Sequence, residues 1–323
     1  MPATAIHAYF AGDVYDILPE MIQAKLIFSR LKTFAQGSDP LLFFNIFNWS
    51  RKAKVRCLQK EFHTTKTQEY FINLLNYIKD NNLKDNKEVS SFLVGMICHY
   101  ALDSTVHPYI IYKTGIFNKK YRDTYKYNNV HAFMEVFLDN DMIKRRERNN
   151  PYKFNISNYC FDSRKFSKSL KKTIGYSFYR TYDVKDMDKI YYTSIKRMKK
   201  IIKIFRQDKH GTKKFFYKCI DTIMPKNVFR FEAVSYHYPL NDKHNYLNED
   251  HKLWRNPTTY NMVSTESFLD LYLKSLKLAK ILVCASFDYL DNKNIDLEKI
   301  FTNKSYLTGI DCSSEKELKY FEF

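Results

Sequence analysis

Glycine and proline are scarce in this 323-residue chain, which holds seven of the first and eight of the second. A turn-rich β protein of this length would need more of both, because tight turns draw on their special backbone angles. No uninterrupted run of about 20 apolar residues occurs, so no transmembrane helix is expected. The opening MPATAIHAYFAGDVYDILPE has no basic segment followed by a long apolar core. No export signal is therefore expected, and the chain reads as cytoplasmic. Its six cysteines, Cys57, Cys98, Cys160, Cys219, Cys284 and Cys312, form no CxxC pair. Reduced and mostly buried thiols are expected from them, not disulfides. Internal repeats and low-complexity linkers are absent too.

What is present is apolar bulk and positive charge. Hydrophobic residues make up 45% of the chain, enough for a sizeable core. Lysine and arginine number 53 against 35 acidic residues, a net charge of +18. That excess suits a polyanionic partner: nucleic acid, a phosphorylated ligand or peripheral contact with an anionic membrane surface. A codon bias that enriches Lys, Asn, Tyr and Ile accounts for it equally well.

Apolar positions recur at helical spacing along most of the chain. Helices are predicted over 3–17, 20–32, 66–79, 88–106, 128–146, 164–180, 186–207, 212–223 and 264–290. Gly37-Ser38-Asp39-Pro40 reads as a loop, and Asn149-Asn150-Pro151 as a break. Pro108 disfavours helical geometry at His107, so the fourth helix is expected to stop there. Residues 236–262 read as a long loop. The expected fold is all-α: a single multi-helix domain over 1–290, with a short helix and tail over 291–323 packed on it.

Chemistry concentrates in the first 135 residues. His99-Tyr-Ala-Leu-Asp103-Ser-Thr-Val-His107 and His131-Ala-Phe-Met-Glu135 each place a carboxylate four residues after a histidine. On a helix that spacing puts both side chains on one face. Imidazole and carboxylate together are ligands zinc takes readily. His99 and His107 are separated by about 12 Å of helical rise, so one ion cannot hold both. Asp103 can stand between two ions, which predicts at least two metals. Cys98 diverges from His99 by about 100° and is expected to face the core. A lone histidine on a helix is more often a packed or solvated residue than a ligand. The joint pattern carries the reading, and His210, His237, His244 and His251 have no such support.

This set of residues resembles the bacterial zinc-dependent phospholipases C, of the alpha-toxin enzymatic-domain type. The resemblance runs through Ile6-His7-Ala8, Gly37-Ser38-Asp39-Pro40, Phe62-His63, the His99–Asp103 pair, His107-Pro108 and the His131–Glu135 pair. It implies a fold of the zinc-dependent phospholipase C and nuclease type, with two or three zinc ions. One position would use Asp39, His63, His99 and Asp103; a second would use His107, His131 and Glu135. A third would use His7 with a shared oxygen of Asp103. Asp39 is implied as the catalytic base or water-orienting residue. Two departures stand out: the stretch between Asp103 and His107 is shorter than in the family, and the family's leading tryptophan is replaced by Met1-Pro2.

The implied activity is hydrolysis of a phosphodiester by a metal-activated water. The substrate would be a phospholipid or a nucleotide. A single-strand nuclease or nucleotidase, and a noncatalytic metal-stabilised binding protein, stay open as alternatives. Tyr236-His237-Tyr238 and Trp254-Arg255-Asn256-Pro257 read as a loop packed on the body, less readily as a substrate entrance.

Overall fold

A computed structural model of the chain describes residues 4–44, 49–147, 153–206, 210–225, 230–237, 244–314 and 317–322. The described residues form α1 (Thr4–Ile17), α2 (Glu20–Gln23), α3 (Phe28–Phe34), α4 (Trp49–Thr64), α5 (Thr67–Asp80), α6 (Lys87–Thr114) and α7 (Val130–Glu147). After these come α8 (Ile156–Cys160), α9 (Lys168–Tyr182), α10 (Met187–Phe205) and α11 (Thr212–Ile223). A hairpin, β1 (Trp254–Asn256) and β2 (Thr259–Ser264), precedes α12 (Phe268–Leu290) and α13 (Leu297–Ile300). The all-α expectation holds, with that one two-stranded antiparallel sheet among the described residues.

Helix α6 is the axis of the molecule. The Asn86 side chain caps it by accepting from the backbone N–H groups of Glu88 and Val89, and Gly115 ends it at a φ of +60°. Its side chains are buried almost all round, and α1, α3, α5, α7, α9 and α12 pack about it. By length and composition it could cross a membrane, contrary to the expectation above, but 94% of its most apolar stretch is buried inside the protein. A core helix passes the same test, because a helix surrounded by others must be apolar on every face.

Pro108 does not end this helix. The chain stays helical to Thr114, although a proline inside a helix removes one hydrogen bond and costs about 3 kcal/mol. Burial beyond it offsets that cost. Tyr109 packs edge-on against Trp254 at 5.3 Å, and its hydroxyl donates to the Tyr246 carbonyl at 2.9 Å. The C-terminal tail fits beside the proline through Gly309, where a Cβ would stand 2.6 Å from the Ser104 carbonyl oxygen.

Other departures have equally local causes. The helix expected over 20–32 is two short ones, because Ile27 is extended and its N–H donates to Ser91 Oγ of α6 at 2.7 Å. Helix α4, which carries His63, was not predicted; it is rich in lysine and arginine and weakly amphipathic. The supposed loop 236–262 contains the hairpin, whose turn is held by Asn256 accepting from Thr258 N–H and Oγ1. Helix α12 starts at Phe268 because Ser267 and Asp270 form a reciprocal cap. The cysteines are free, yet only Cys98 and Cys160 are buried; Cys57 and Cys219 are exposed. The Asn149-Asn150-Pro151 break lies outside the described residues.

Helices α3 and α6 cross closely at Gly95, where a Cβ would meet the Phe34 Cβ at 2.5 Å and its carbonyl carbon at 2.7 Å. Helix propensity alone favours alanine there by up to about 1 kcal/mol. Overpacking costs about 1–3 kcal/mol and should win. Gly95→Ala is therefore expected to lower Tm by several degrees in a calorimetric scan; an unchanged or raised Tm would show that α3 can yield.

Candidate metal centre

Four helices and one loop bring the eight histidines and carboxylates into a single buried cluster. His99, Asp103 and His107 come from α6. Asp103 is its hub: Oδ2 lies 3.3 Å from His99 Nε2, 3.5 Å from His107 Nδ1 and 3.6 Å from His63 Nε2. The other oxygen, Oδ1, lies 3.3 Å from His7 Nε2. Because α6 runs on through Pro108, His107 keeps the four-residue register with Asp103.

His7 is placed by α7. The Asp139 carboxylate accepts from the N–H groups of Ala5 and Ile6 at 3.0 and 2.8 Å, and from the Tyr236 hydroxyl at 2.7 Å. It thus satisfies the open N-terminal donors of α1 and fixes the direction in which that helix presents His7. Asp39 starts a 3₁₀ turn after Gly37 and faces His63 Nε2 at 3.5 Å. Gly37 has a φ of +53°, and a Cβ on it would lie 2.0 Å from the His99 ring. Only glycine lets the loop pass so close. Tyr191 of α10 locks the loop by donating to the Gly37 carbonyl at 2.7 Å.

His63 ends α4. Its Nδ1 is 2.8 Å from the Gln59 carbonyl oxygen, a bond in which the ring donates and leaves Nε2 facing Asp39 and Asp103. His131 and Glu135 of α7 pair at 3.2 Å, and His107 Nε2 stands 3.6 Å from the same Glu135 oxygen. His131, about a third exposed, opens the cluster toward solvent.

Two groups emerge whose ligand-type atoms lie within 4.8 Å of one another: His7, Asp39, His99 and Asp103; and His107, His131 and Glu135. Asp103 joins them through His107. His63 borders the first group. His7, assigned by resemblance to a third position, lies within the first group; Met1 and Pro2 lie outside the described residues.

The electrostatics fit a cation. His99 makes no hydrogen bond at either ring nitrogen, and Asp39 Oδ2, Asp103 Oδ2 and His7 Nδ1 are likewise buried without one. Native proteins rarely leave so many buried polar atoms unsatisfied, and a bound cation is one established way of satisfying them. Burial drives the Asp39 carboxyl up to about 7, with Asp103 and Glu135 adding to the shift. Burial also holds His7 and His99 below the ordinary imidazole value. His107 goes the other way: its burial is outweighed by Asp103 and Glu135, which lift it to about 9. Asp103 and Glu135 are themselves held well below the usual carboxylate range, because surrounding positive charge overcomes their burial. Closely spaced divalent ions in such a donor set can activate water and neutralise phosphoryl oxygens.

A zinc-dependent phospholipase C family model matches residues 6–223. The chain belongs to that family. Neither a curated protein nor a solved structure matches it. Family membership and the two ligand groups together support a zinc phosphoesterase. The remaining histidines, His210, His237, His244 and His251, join neither group. Tyr236 and Trp254 are buried in the body, the first on Asp139 and the second on Tyr109. Tyr238 is outside the described residues.

The sequence reading missed several supporting residues. Asp139 was legible, since His131, Glu135 and Asp139 continue one four-residue series. Tyr306 was not. It comes from the tail beyond α13, its N–H donates to the His63 carbonyl at 2.8 Å, and its own carbonyl lies 3.1 Å from His107 Nδ1. Its buried ring stands edge-on to His63 and His99 at 5.1 and 5.6 Å. A carbonyl behind one ring nitrogen fixes which nitrogen is left for a ligand role.

Gly37→Ala is expected to displace the His99 ring, lower Tm and reduce zinc retained after gel filtration. Gly175→Ala, where nothing lies within 4 Å of the added carbon, should leave both unchanged. Equal behaviour of the two variants would contradict the close packing of loop and ring.

Proposed function

We propose that the protein is a phospholipase C-like zinc phosphodiesterase with two or three bound ions. The two adjacent groups of ligand-type atoms, linked where Asp103 Oδ2 lies 3.5 Å from His107 Nδ1, carry this reading. His7, Asp39, His99 and Asp103, with His63 beside them, would hold one ion; His107, His131 and Glu135 would hold another. Zinc held by these residues would supply a nucleophilic water at neutral pH and would take up charge on the phosphoryl oxygens. The chain's own part is to position and to move protons. Asp39 would serve as the base or the water-orienting residue, and Gln59 Nε2 reaches its Oδ1 at 3.4 Å to hold its orientation. Gln59 and Tyr306 keep His63 and His107 in one tautomer each. Asp139 holds α1, and with it His7, against Asp103.

The net charge of +18 favours a second reading, a single-strand nuclease or nucleotidase working at the same centre. Parallel assays on phosphatidylcholine or phosphatidylethanolamine and on a single-stranded oligonucleotide discriminate the two. Metal content by elemental mass spectrometry, on protein purified without chelator, should give two or three zinc per chain. His99→Ala and Asp103→Ala should each abolish bound zinc, with activity falling beyond the roughly 10–100-fold that loss of a supporting residue costs. Zinc-free protein with full activity would sink the proposal, and zinc without hydrolysis would leave a metal-stabilised binding protein.

Proton release gives a further check. In the metal-free protein burial lifts Asp39 to about 7 and the neighbouring carboxylates lift His107 to about 9, so at neutral pH His107 carries its proton and Asp39 about half of one. Ligands bind zinc only after losing their protons. Zinc uptake should therefore expel protons at pH 7, few above pH 9, and apparent affinity should tighten as pH rises through that window. Calorimetric titration in buffers of different ionisation enthalpy measures this; release independent of pH would contradict it.

A further inference from the structure

Helix α11 is turned inside out. Phe215, Phe216, Cys219 and Ile223 fall on one stripe at helical spacing, and a surface helix ordinarily turns such a stripe to the core. Here it faces outward: Phe215 is 72% exposed, Phe216 61% and Ile223 84%, and Cys219 is exposed too. The inner side carries Tyr217 and Asp221 instead. Tyr217 stacks on Phe231, and its hydroxyl donates to the Ile204 carbonyl at 3.1 Å. The Asp221 carboxylate accepts from the N–H groups of Phe231 and Glu232 at 2.9 and 2.8 Å. Rolling the helix to hide its apolar stripe would break all of these bonds, so the orientation is fixed by the polar side.

Ile204 at the end of α10, whose carbonyl accepts from Tyr217, is also 56% exposed. Lysines accompany these side chains. Lys218 is exposed beside the stripe on α11, and Lys200 and Lys203 are exposed along the last turns of α10. Apolar residues ringed by lysine suit an anionic, oily surface better than a protein groove. Helix α11 also contributes Lys218, Asp221 and Thr222 to one wall of a cavity of about 980 Å³. Another part of its wall is Val130 and Phe133, in the first turn of the helix that bears His131 and Glu135.

We propose that α11 is an interfacial docking helix that seats the protein on an anionic phospholipid bilayer. Phe215, Phe216 and Ile223 enter the boundary between headgroups and acyl chains, while the flanking lysines meet lipid phosphates. The role this gives the enzyme, action at a membrane, rests on the phospholipid reading of its substrate; the docking itself does not.

Flotation with phosphatidylcholine vesicles, with and without phosphatidylserine, tests the proposal. Wild-type protein should float with the phosphatidylserine vesicles and be partly released by salt. Phe215→Ser with Phe216→Ser should weaken binding more than about 10-fold, since each buried phenylalanine is worth at least that factor. The same double variant should keep its zinc and its rate on a soluble chromogenic phosphodiester. As a measurement independent of loss, the emission of a Phe215→Trp variant should shift to the blue on those vesicles. Wild-type protein that stays off the vesicles, or a double variant that binds as well, overturns the proposal. So does a wild-type dimer that the double variant converts to monomer without any vesicle binding. Vesicle binding by a protein inert toward every phosphodiester would leave the docking helix standing and remove the enzymatic reading alone.

Discussion

One buried carboxylate, Asp103, has histidines on every side, and most of the described architecture can be read as a means of holding it there. An ionised carboxylate taken out of water costs several kcal/mol unless positive charge or hydrogen bonds replace the water. Here the replacement comes from histidines on three helices, α1, α4 and α6, and those histidines are buried in turn. The arrangement is poor in proper hydrogen bonds and rich in ligand-type atoms a few ångströms apart. A divalent cation satisfies such a set at once, whereas protons satisfy it only by leaving one carboxylate, Asp39, half neutral near pH 7.

Support for that hub comes from unusually distant parts of the chain. Asp139 fastens the start of α1 from across the bundle, Gly37 gives its loop room to lie on the His99 ring, and Tyr306 arrives from the far C-terminal tail. The tail lies beyond the stretch matched by the family model, yet its backbone touches both His63 and His107. Gly309 lets it do so by pressing against the Ser104 carbonyl next to Pro108. Helix, proline and tail thus form one fitted unit.

Local preference and tertiary placement agree in α5 and over most of α10 and conflict in α11. Agreement between levels is what gives a chain a single native state, and breaches of it concentrate where function demands them. On α11 the breach is an exposed apolar stripe, Phe215, Phe216 and Ile223, while Asp221 of the same helix lines the cavity that reaches α7. Asp221 and Tyr217 keep the breach in place.

The helical class was written in the scarcity of glycine and proline and in three- and four-residue periodicity. The order of the ligand-type residues was equally plain, because the partners His99 and Asp103, or His131 and Glu135, lie one helical turn apart. The sequence by itself determined these, since a turn of helix relates only close neighbours. It could not say that α6 would run through Pro108, because burial of Tyr109 beyond the proline decides that. Nor could it place His63 on a helix, bring Tyr306 behind His107 or turn α11 outward. Those are contacts between residues tens to hundreds of positions apart, and only the packing of α1, α4, α6, α7 and the tail brought them together.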